Sequence, residues 1–421
     1  MVKYDVIIIG AGITGLSTAY HLKSQAKDLK VAILEKASTF AQGNSGKSAA
    51  AYRDLFTSDI NRKISGSSIA FYRHVQNDLK YNIGMRSNGY LFMMDGKSLD
   101  QPAVKTFVGE KRARIIDEGR ISEMGIRTRP SKEESELMNL RNVEGGLFGI
   151  NCGILEPDLL CSYYESECRK LGVEIHYNTE IEPVRLGPVK PLSYPGEPFV
   201  WQDVLLRSVK SGKGEFEADN FIFCTDAWST QLLDPSGIDS HTRPKKRQIF
   251  QISGDLSRKI VESPIAENES ISPFIILPSN DITMRPEPNS KSLWISIADE
   301  YNRDFSFVED PQPEPKFYEE SIFPVLQSYL PGVEKEKITS SWAGYYSYNT
   351  TDRTHYIFRE KNIIVATASS GSGIMKADAI GRVTASLYMG KERVKLFDNS
   401  EVNASDLGVE TRKVPRENLV I

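Results

Sequence analysis

Val6-Ile7-Ile8-Ile9-Gly10-Ala11-Gly12-Ile13-Thr14-Gly15-Leu16 is the stretch that decides the fold. A β-branched run ending in glycine predicts a strand buried on both faces. Leu16, Ala19, Tyr20 and Leu22 then recur at helical spacing, and Val31–Leu34 predicts a second strand closed by Glu35. Strand, G-x-G-x-x-G loop, helix and an acidic strand end stand in the order of a dinucleotide site. Gly10 permits the tight turn, Gly12 admits a pyrophosphate to the backbone, and Gly15 lets helix and strand lie close. The helix start, with Ile13 and Thr14, offers N–H groups and the positive dipole end. Glu35 can accept from both ribose hydroxyls, and its charge repels a 2′-phosphate.

This motif alone does not separate FAD from NAD. After Lys36, however, regular βαβ units do not follow. Residues 37–51 are rich in Ser, Ala and Gly, including Gly43-Asn44-Ser45-Gly46-Lys47-Ser48-Ala49-Ala50. Small residues with many backbone N–H groups suit close approach to a large planar cofactor. A flexible linker would have the same composition.

Outward from the motif, 421 residues exceed one compact core. Lys and Arg total 52 against 56 Asp and Glu, a net charge of -4, which argues against nucleic-acid binding. Cys152, Cys161, Cys168 and Cys224 form no C-x-x-C pair, so reduced intracellular thiols are expected and no metal site. No apolar run reaches the ~18 residues of a membrane span. The chain opens on a strand, so we expect no leader and a cytoplasmic location, with peripheral membrane attachment through a partner left open.

A helical stripe is expected from Asp59 to Leu79, with Ser58 as N-cap, and a helix from Glu156 to Lys170. Phe221–Cys224 and Ile363–Ala366 read as further buried strands. The first ends in Thr225-Asp226-Ala227-Trp228. The second runs into Ser369-Ser370-Gly371-Ser372-Gly373-Ile374 and a helix from Ala377 to Tyr388. The stretch 244–340 has hairpin character. The fold class expected is α/β with an α+β insert. Segments 1–85, 150–235 and 341–395 form a discontinuous Rossmann-like nucleotide domain. Segments 86–149 and 236–340 form an antiparallel-sheet substrate domain, and 396–421 a polar tail.

The glycine fingerprint, the Phe221–Ser229 turn, the stretch Trp342-Ala343-Gly344-Tyr345-Tyr346-Ser347-Tyr348 and the glycine turn after Ala366 together resemble the D-amino-acid oxidase/sarcosine oxidase-like (DAO) family of FAD-dependent oxidoreductases. Among its secondary-amine members, archaeal dye-linked L-proline dehydrogenases look most similar. The resemblance implies that FAD is held by Gly10, Gly12, Ile13, Thr14, Gly15, Glu35, Lys36, Ser45, Lys47, Ser48 and Ala49. It extends that role to Ile181, Glu182, Thr225, Ala227, Trp228, Gly344, Gly371, Ser372, Gly373 and Ile374. The positions where some members attach flavin covalently hold neither His nor Cys, so dissociable FAD is expected. Ser372 stands where a histidine often sits.

The resemblance also places Arg53 on a substrate carboxylate, a role its guanidinium fork suits. An ion pair with Asp54 or Asp59 is the competing reading. Lys376 stands one position beyond the family's basic residue, here Met375, and serves either the carboxylate or only the helix. Tyr345, Tyr346 and Tyr348 are pocket or core aromatics.

The implied activity is oxidation of the C–N bond of an amino acid or secondary amine, of proline, sarcosine or glycine type, by hydride transfer to flavin N5. Oxygen, a quinone or a carrier protein remain open as electron acceptors, and homo- and hetero-oligomers are both compatible. One rival is a 2-hydroxy-acid or glycerol 3-phosphate dehydrogenase, which needs a base; of His21, His74, His176, His241 and His355, only His355 follows the aromatic stretch. Another rival is a flavin-bearing assembly or scaffold protein.

Overall fold

The computed structural model describes residues 3–298 and 303–415. Residues 1–2, 299–302 and 416–421, which the expected domain and tail boundaries include, lie outside the described residues.

Five parallel strands form the centre of the first sheet, in the order Ile363–Thr367, Gly214–Phe223, Lys3–Ile9, Val31–Leu34 and Glu174–His176. Tyr356–Glu360 and Ser208–Ser211 add antiparallel edges. The first strand shows why its sequence lacks alternation. Val6 and Ile8 enter the core beneath the helices, whereas Ile7 and Ile9 enter a second core on the opposite face. Both faces are covered over Val6–Ile9, so each of those four positions is apolar.

Helix Ile13–Gln25 leaves the glycine loop and packs on Ala377–Tyr388 and Pro157–Lys170. At the crossing the Ser17 hydroxyl donates to Ala377 O at 2.9 Å, and a Cβ on Gly381 would lie 2.2 Å from Ser17 Oγ. A buried polar knot ties the three helices. The Asp378 carboxylate takes His21 Nε2 at 2.7 Å, the Tyr164 hydroxyl at 3.1 Å and Arg382 Nε at 2.7 Å. Its neighbours' positive charge holds Asp378 below the usual carboxylate range despite burial.

The second sheet has eight strands in the order Lys337–Tyr348, Arg243–Ser253, Ser292–Ile297, Ile282–Glu287, Phe274–Ile276, Tyr90–Met94, Gly145–Gly149 and Ala113–Asp117. It is antiparallel except where Phe274–Ile276 runs parallel to Tyr90–Met94. The expected boundary at 341 therefore falls inside a strand. Trp342–Tyr348 belongs to this second sheet, where it pairs along most of Arg243–Ser253. The reason is register: eleven residue pairs hold that strand, and local pattern does not report them.

The Asp59 helix runs to Arg73 and continues as a π-turn to Asp78, with the Ser58 hydroxyl accepting from Asn61 N. The stretch 244–340 also contains helices, at Asp255–Val261 and Phe323–Tyr329. The expected polar tail is packed through its described part. Leu396, Val402, Ala404 and Leu407 join the first core, and Arg412 holds buried Asp352 through two hydrogen bonds, one at 2.9 Å. No helix among the described residues is long and apolar enough to cross a membrane.

Candidate functional site

A cavity of ≈ 610 Å³ runs from the glycine loop, between the two sheets, to the face of the second sheet. One end is built by the fingerprint. Gly10 adopts φ +101°, and a Cβ there would meet Cys224 O at 2.9 Å. Its N–H is held by Leu34 O at 2.8 Å, which fixes the turn to the second strand. A Cβ on Gly15 would stand 2.0 Å from Gly10 O, so only glycine lets the helix begin against the turn. Gly12 is the N-cap residue and caps nothing with a side chain; Ile13 N reaches Ser45 Oγ at 3.0 Å.

Glu35 ends the second strand with both carboxylate oxygens oriented by backbone. Oε2 accepts from Ala11 N at 2.7 Å and Oε1 from Ala37 N at 2.9 Å. Each oxygen retains lone-pair capacity for a hydroxyl. Beyond it, Thr179 and Ile181 line the wall, but Glu182 does not; its N–H serves Lys210 O at 2.9 Å. The segment presents Thr179 through Ile181 inward, and the cofactor role expected of Glu182 falls on a residue whose side chain is exposed. Ala227 is fully buried behind the wall, and Gly15 beneath it, so neither lines the cavity, whereas Thr225, Asp226 and Trp228 do.

Lys36 lies 4.4 Å from the Trp228 ring and pairs with Glu309, which also accepts from Trp228 Nε1 at 3.1 Å. Glu309 and Asp310 line the cavity from an irregular segment. Phe307 stacks on Tyr345 at 5.4 Å, and the Tyr345 hydroxyl accepts from Val308 N at 2.7 Å.

The small-residue loop is fastened to the second sheet. Asn44 Oδ1 accepts from Tyr345 N at 2.8 Å, and Lys47 O accepts from the Trp342 indole at 2.9 Å. The final glycine turn is fastened likewise, by Ser370 N to Ser347 O at 2.8 Å. Gly371, at φ +80°, leaves room for the Tyr346 ring, which an added Cβ would meet at 2.4 Å. Asp226 joins the two strand-end turns: its carboxylate accepts from Ser369 N and Oγ, and burial pushes its pKa up.

Arg53 and Lys376 reach the far end from different elements and flank one ring. Their charged ends each lie 4.5 Å from the Phe56 centroid. Arg53 is 5% exposed and donates to Leu55 O at 2.8 Å. Asp54 instead takes Asn151 at 2.7 Å, and Asp59 pairs with Arg62 and Lys63. Lys376 is 1% exposed, not a solvated helix lysine, and donates to Asn61 Oδ1 at 2.8 Å and Ser372 Oγ at 2.6 Å. Tyr346, on the second sheet that roofs the cavity, lines it near these groups, its phenol pKa raised by burial.

Among the described residues, which include all five histidines, no histidine lines the cavity. His355 is buried but sits outside it, and burial with the nearby Lys376 and Arg412 charges lowers its pKa. Cys224 does line the cavity, with its thiol pushed up to about 12 by burial. Sequence reasoning passed over Asn61, Tyr90, Asp226 and Arg247, all of which line the cavity. The one available signal was alternation: Arg247 and Ile249 share a strand face that ends in an apolar run. Among the described residues no cluster of acidic, His or Cys side chains could hold a metal.

The cavity suits an extended dinucleotide. One end offers glycine-bared backbone, an uncapped helix start and an oriented carboxylate; the rest is long and closed by a sheet. The chain is 23% identical to FAD-dependent oxidoreductase domain-containing protein 1 of Xenopus laevis, over 92% of this chain and 79% of that protein. It is 26% identical to glycine oxidase of Bacillus licheniformis, over 92% and 94% of the two chains. The solved structure of L-proline dehydrogenase from P. horikoshii superposes with a TM-score of 0.69 at 19% identity, covering 92% of this chain and 94% of that one. The family model described as FAD dependent oxidoreductase (DAO) matches residues 5–387, so the chain belongs to that family and is an FAD-dependent oxidoreductase.

Proposed function

We propose that this chain oxidises the C–N bond of an amino acid or secondary amine. The observation that carries the reading is the pair Arg53 and Lys376 around Phe56, two buried cations at the far end of the cofactor cavity. Bound FAD supplies the hydride-accepting centre. For the cofactor, the Glu35 carboxylate takes the ribose hydroxyls and the start of helix Ile13–Gln25 takes the pyrophosphate. The loops Ser45–Ala49 and Gly371–Ile374 hold the remainder.

Arg53 anchors the substrate carboxylate by its fork and so aims the adjacent C–H bond. The reacting amine must be neutral. Desolvation in the closed cavity and the like charge of Lys376 both lower an amine's pKa, so no dedicated base is required. This favours an amine over a hydroxyl substrate, whose proton needs a base. No histidine lines the cavity, and the Tyr346 phenol, with its raised pKa, stays protonated at neutral pH. The resemblance to glycine oxidase in sequence supports the same substrate class.

The test is anaerobic mixing of the holoprotein with single amino acids, N-methyl amino acids and hydroxy acids while following flavin absorbance. Bleaching by an amino or imino acid is expected, and Arg53→Lys should raise the substrate concentration needed by at least about tenfold through loss of the bidentate fork. Bleaching by hydroxy acids alone would overturn the reading.

A further inference from the structure

We infer that Arg247 is a second anion-binding residue, and that the substrate is an amino or imino acid carrying a second carboxylate. This rests on the amine reading for its chemistry, but its geometry stands apart.

Arg247 lies on strand Arg243–Ser253, where alternate residues face opposite sides. Gln248 and Phe250 turn away, the first to Glu314 and the second into the core of the second sheet. Arg247 and Ile249 face the cavity. Directly opposite Arg247 on the neighbouring strand is Gly344, which contributes no side chain to obstruct it. The next row across the sheet runs Trp342, Ile249, Ser296 and Thr283, and all four line the cavity. Two hydroxyl side chains therefore lie on the same cavity face as the guanidinium.

Arg247 as a residue is 7% exposed. It is held against the rings of Tyr346 and Tyr348, at 5.2 and 5.6 Å. Nη2 donates to the Tyr348 hydroxyl at 2.8 Å and Nη1 to Lys246 O at 3.2 Å. Its Nε is buried without a hydrogen-bond partner, and among the described residues no carboxylate pairs with it within 4.0 Å. A buried guanidinium left without an anion is costly, so a site that keeps one is built for a ligand that supplies the anion. Arg53 and Lys376 flank Phe56, whereas Arg247 lies on the roof; the charges of Arg53 and Arg247 both act on the Tyr346 phenol. A ligand with one carboxylate satisfies one cationic position. A dicarboxylate satisfies both, with its reacting carbon held between them beside Tyr346.

The test uses the holoenzyme and its flavin absorbance difference spectrum. Succinate and glutarate are titrated against butyrate and valerate, none of which carries an oxidisable amine. Anaerobic reduction by glutamate, aspartate and iminodiacetate is then compared with alanine, proline and sarcosine. We expect dicarboxylates to bind at least about tenfold more tightly than monocarboxylates of equal length. Arg247→Met should remove that preference, weakening dicarboxylates far more than monocarboxylates, and Arg247→Lys should restore part of it. Equal binding of both classes by the wild type would overturn the inference. So would equal weakening of both classes in Arg247→Met and Arg247→Lys alike, which would make Arg247 a support for Tyr346 and Tyr348. If hydroxy dicarboxylates bleach the flavin and amines do not, the amine reading falls while the titrations still decide the role of Arg247.

Discussion

Gly15→Ala tests the cofactor cradle most directly. The added Cβ would lie 2.0 Å from Gly10 O, 3.1 Å from Gly10 C and 3.4 Å from Cys224 Cβ. Ordinary contact begins near 3.4 Å, so the helix start must retreat by more than about 1 Å. Neither side yields easily. The Gly10 turn is fastened to Leu34 O, and the helix is already pressed on Gly381 through Ser17. Overpacking of this kind costs ~1–3 kcal/mol, and the higher helix propensity of alanine returns up to ~1 kcal/mol. Apoprotein stability should fall by no more than ~3 kcal/mol. Affinity should fall much further. Two first-turn N–H bonds to a phosphate, at ~1.5–3 kcal/mol each, correspond to a loss of about 10²–10⁴-fold in FAD affinity. Titrating FAD into apoprotein and following the quench of flavin fluorescence measures it. Gly66→Ala is the control, because nothing lies within 4 Å of its Cβ inside helix Asp59–Arg73. A Gly15→Ala protein that binds FAD within about threefold of wild type would refute the cradle.

Two further predictions concern the flavin linkage and the helix knot. Acid precipitation should leave all flavin in the supernatant, since no histidine lines the cavity and the lining Cys224 thiol is pushed up to about 12; flavin retained in the pellet would contradict this. Asp378→Ala should cost ~3–5 kcal/mol, because it strands His21, Tyr164 and Arg382 beside a buried cavity. The folded pKa of Asp378 lies below its ordinary 3.8, so its contribution is present above that value and is lost as pH falls through the folded value. Denaturant melts of wild type and variant should therefore converge on acidification, and a gap that stays constant to low pH would count against the assignment.

What could be read along the chain was whatever depends on neighbours in sequence. The glycine loop, Glu35 and the apolar strands announce themselves because their geometry is local: Gly10 and Gly15 are each required by an atom of the same turn or of the strand beside it. The roof is different. Trp342–Tyr348 looks like part of the cofactor domain until its register with Arg243–Ser253 is known. Within the basic run Arg243–Arg247 strand alternation divides the charges: Lys246 goes out to Glu314 and Arg247 into the cavity. Lys376 reads as an ordinary helix lysine, yet it is sealed between Asn61 and Ser372, and one of these lies far away in sequence. Arg412, expected in a loose tail, holds buried Asp352. In each case burial by a distant segment changes the meaning of a polar side chain.

That dependence makes the link between cofactor loop and roof a structural requirement rather than a detail. Asn44 Oδ1 is the acceptor for Tyr345 N, and the neighbouring residue Tyr346 stands over Gly371. If this hydrogen bond holds the roof strand in place, Asn44→Ala strands a buried backbone N–H and should cost ~1–3 kcal/mol. The contact is between protein groups, so the loss must appear in the apoprotein as well as the holoprotein. It should also weaken substrate more than FAD, because the strand it releases carries Tyr346 and packs against Arg247, whereas Glu35 and the helix start are untouched. Thermal melts with and without FAD separate the cases. A variant as stable as wild type when empty, but weaker in FAD binding, would mean that the loop meets the roof only around the cofactor, and that this bond does not hold the roof strand in place.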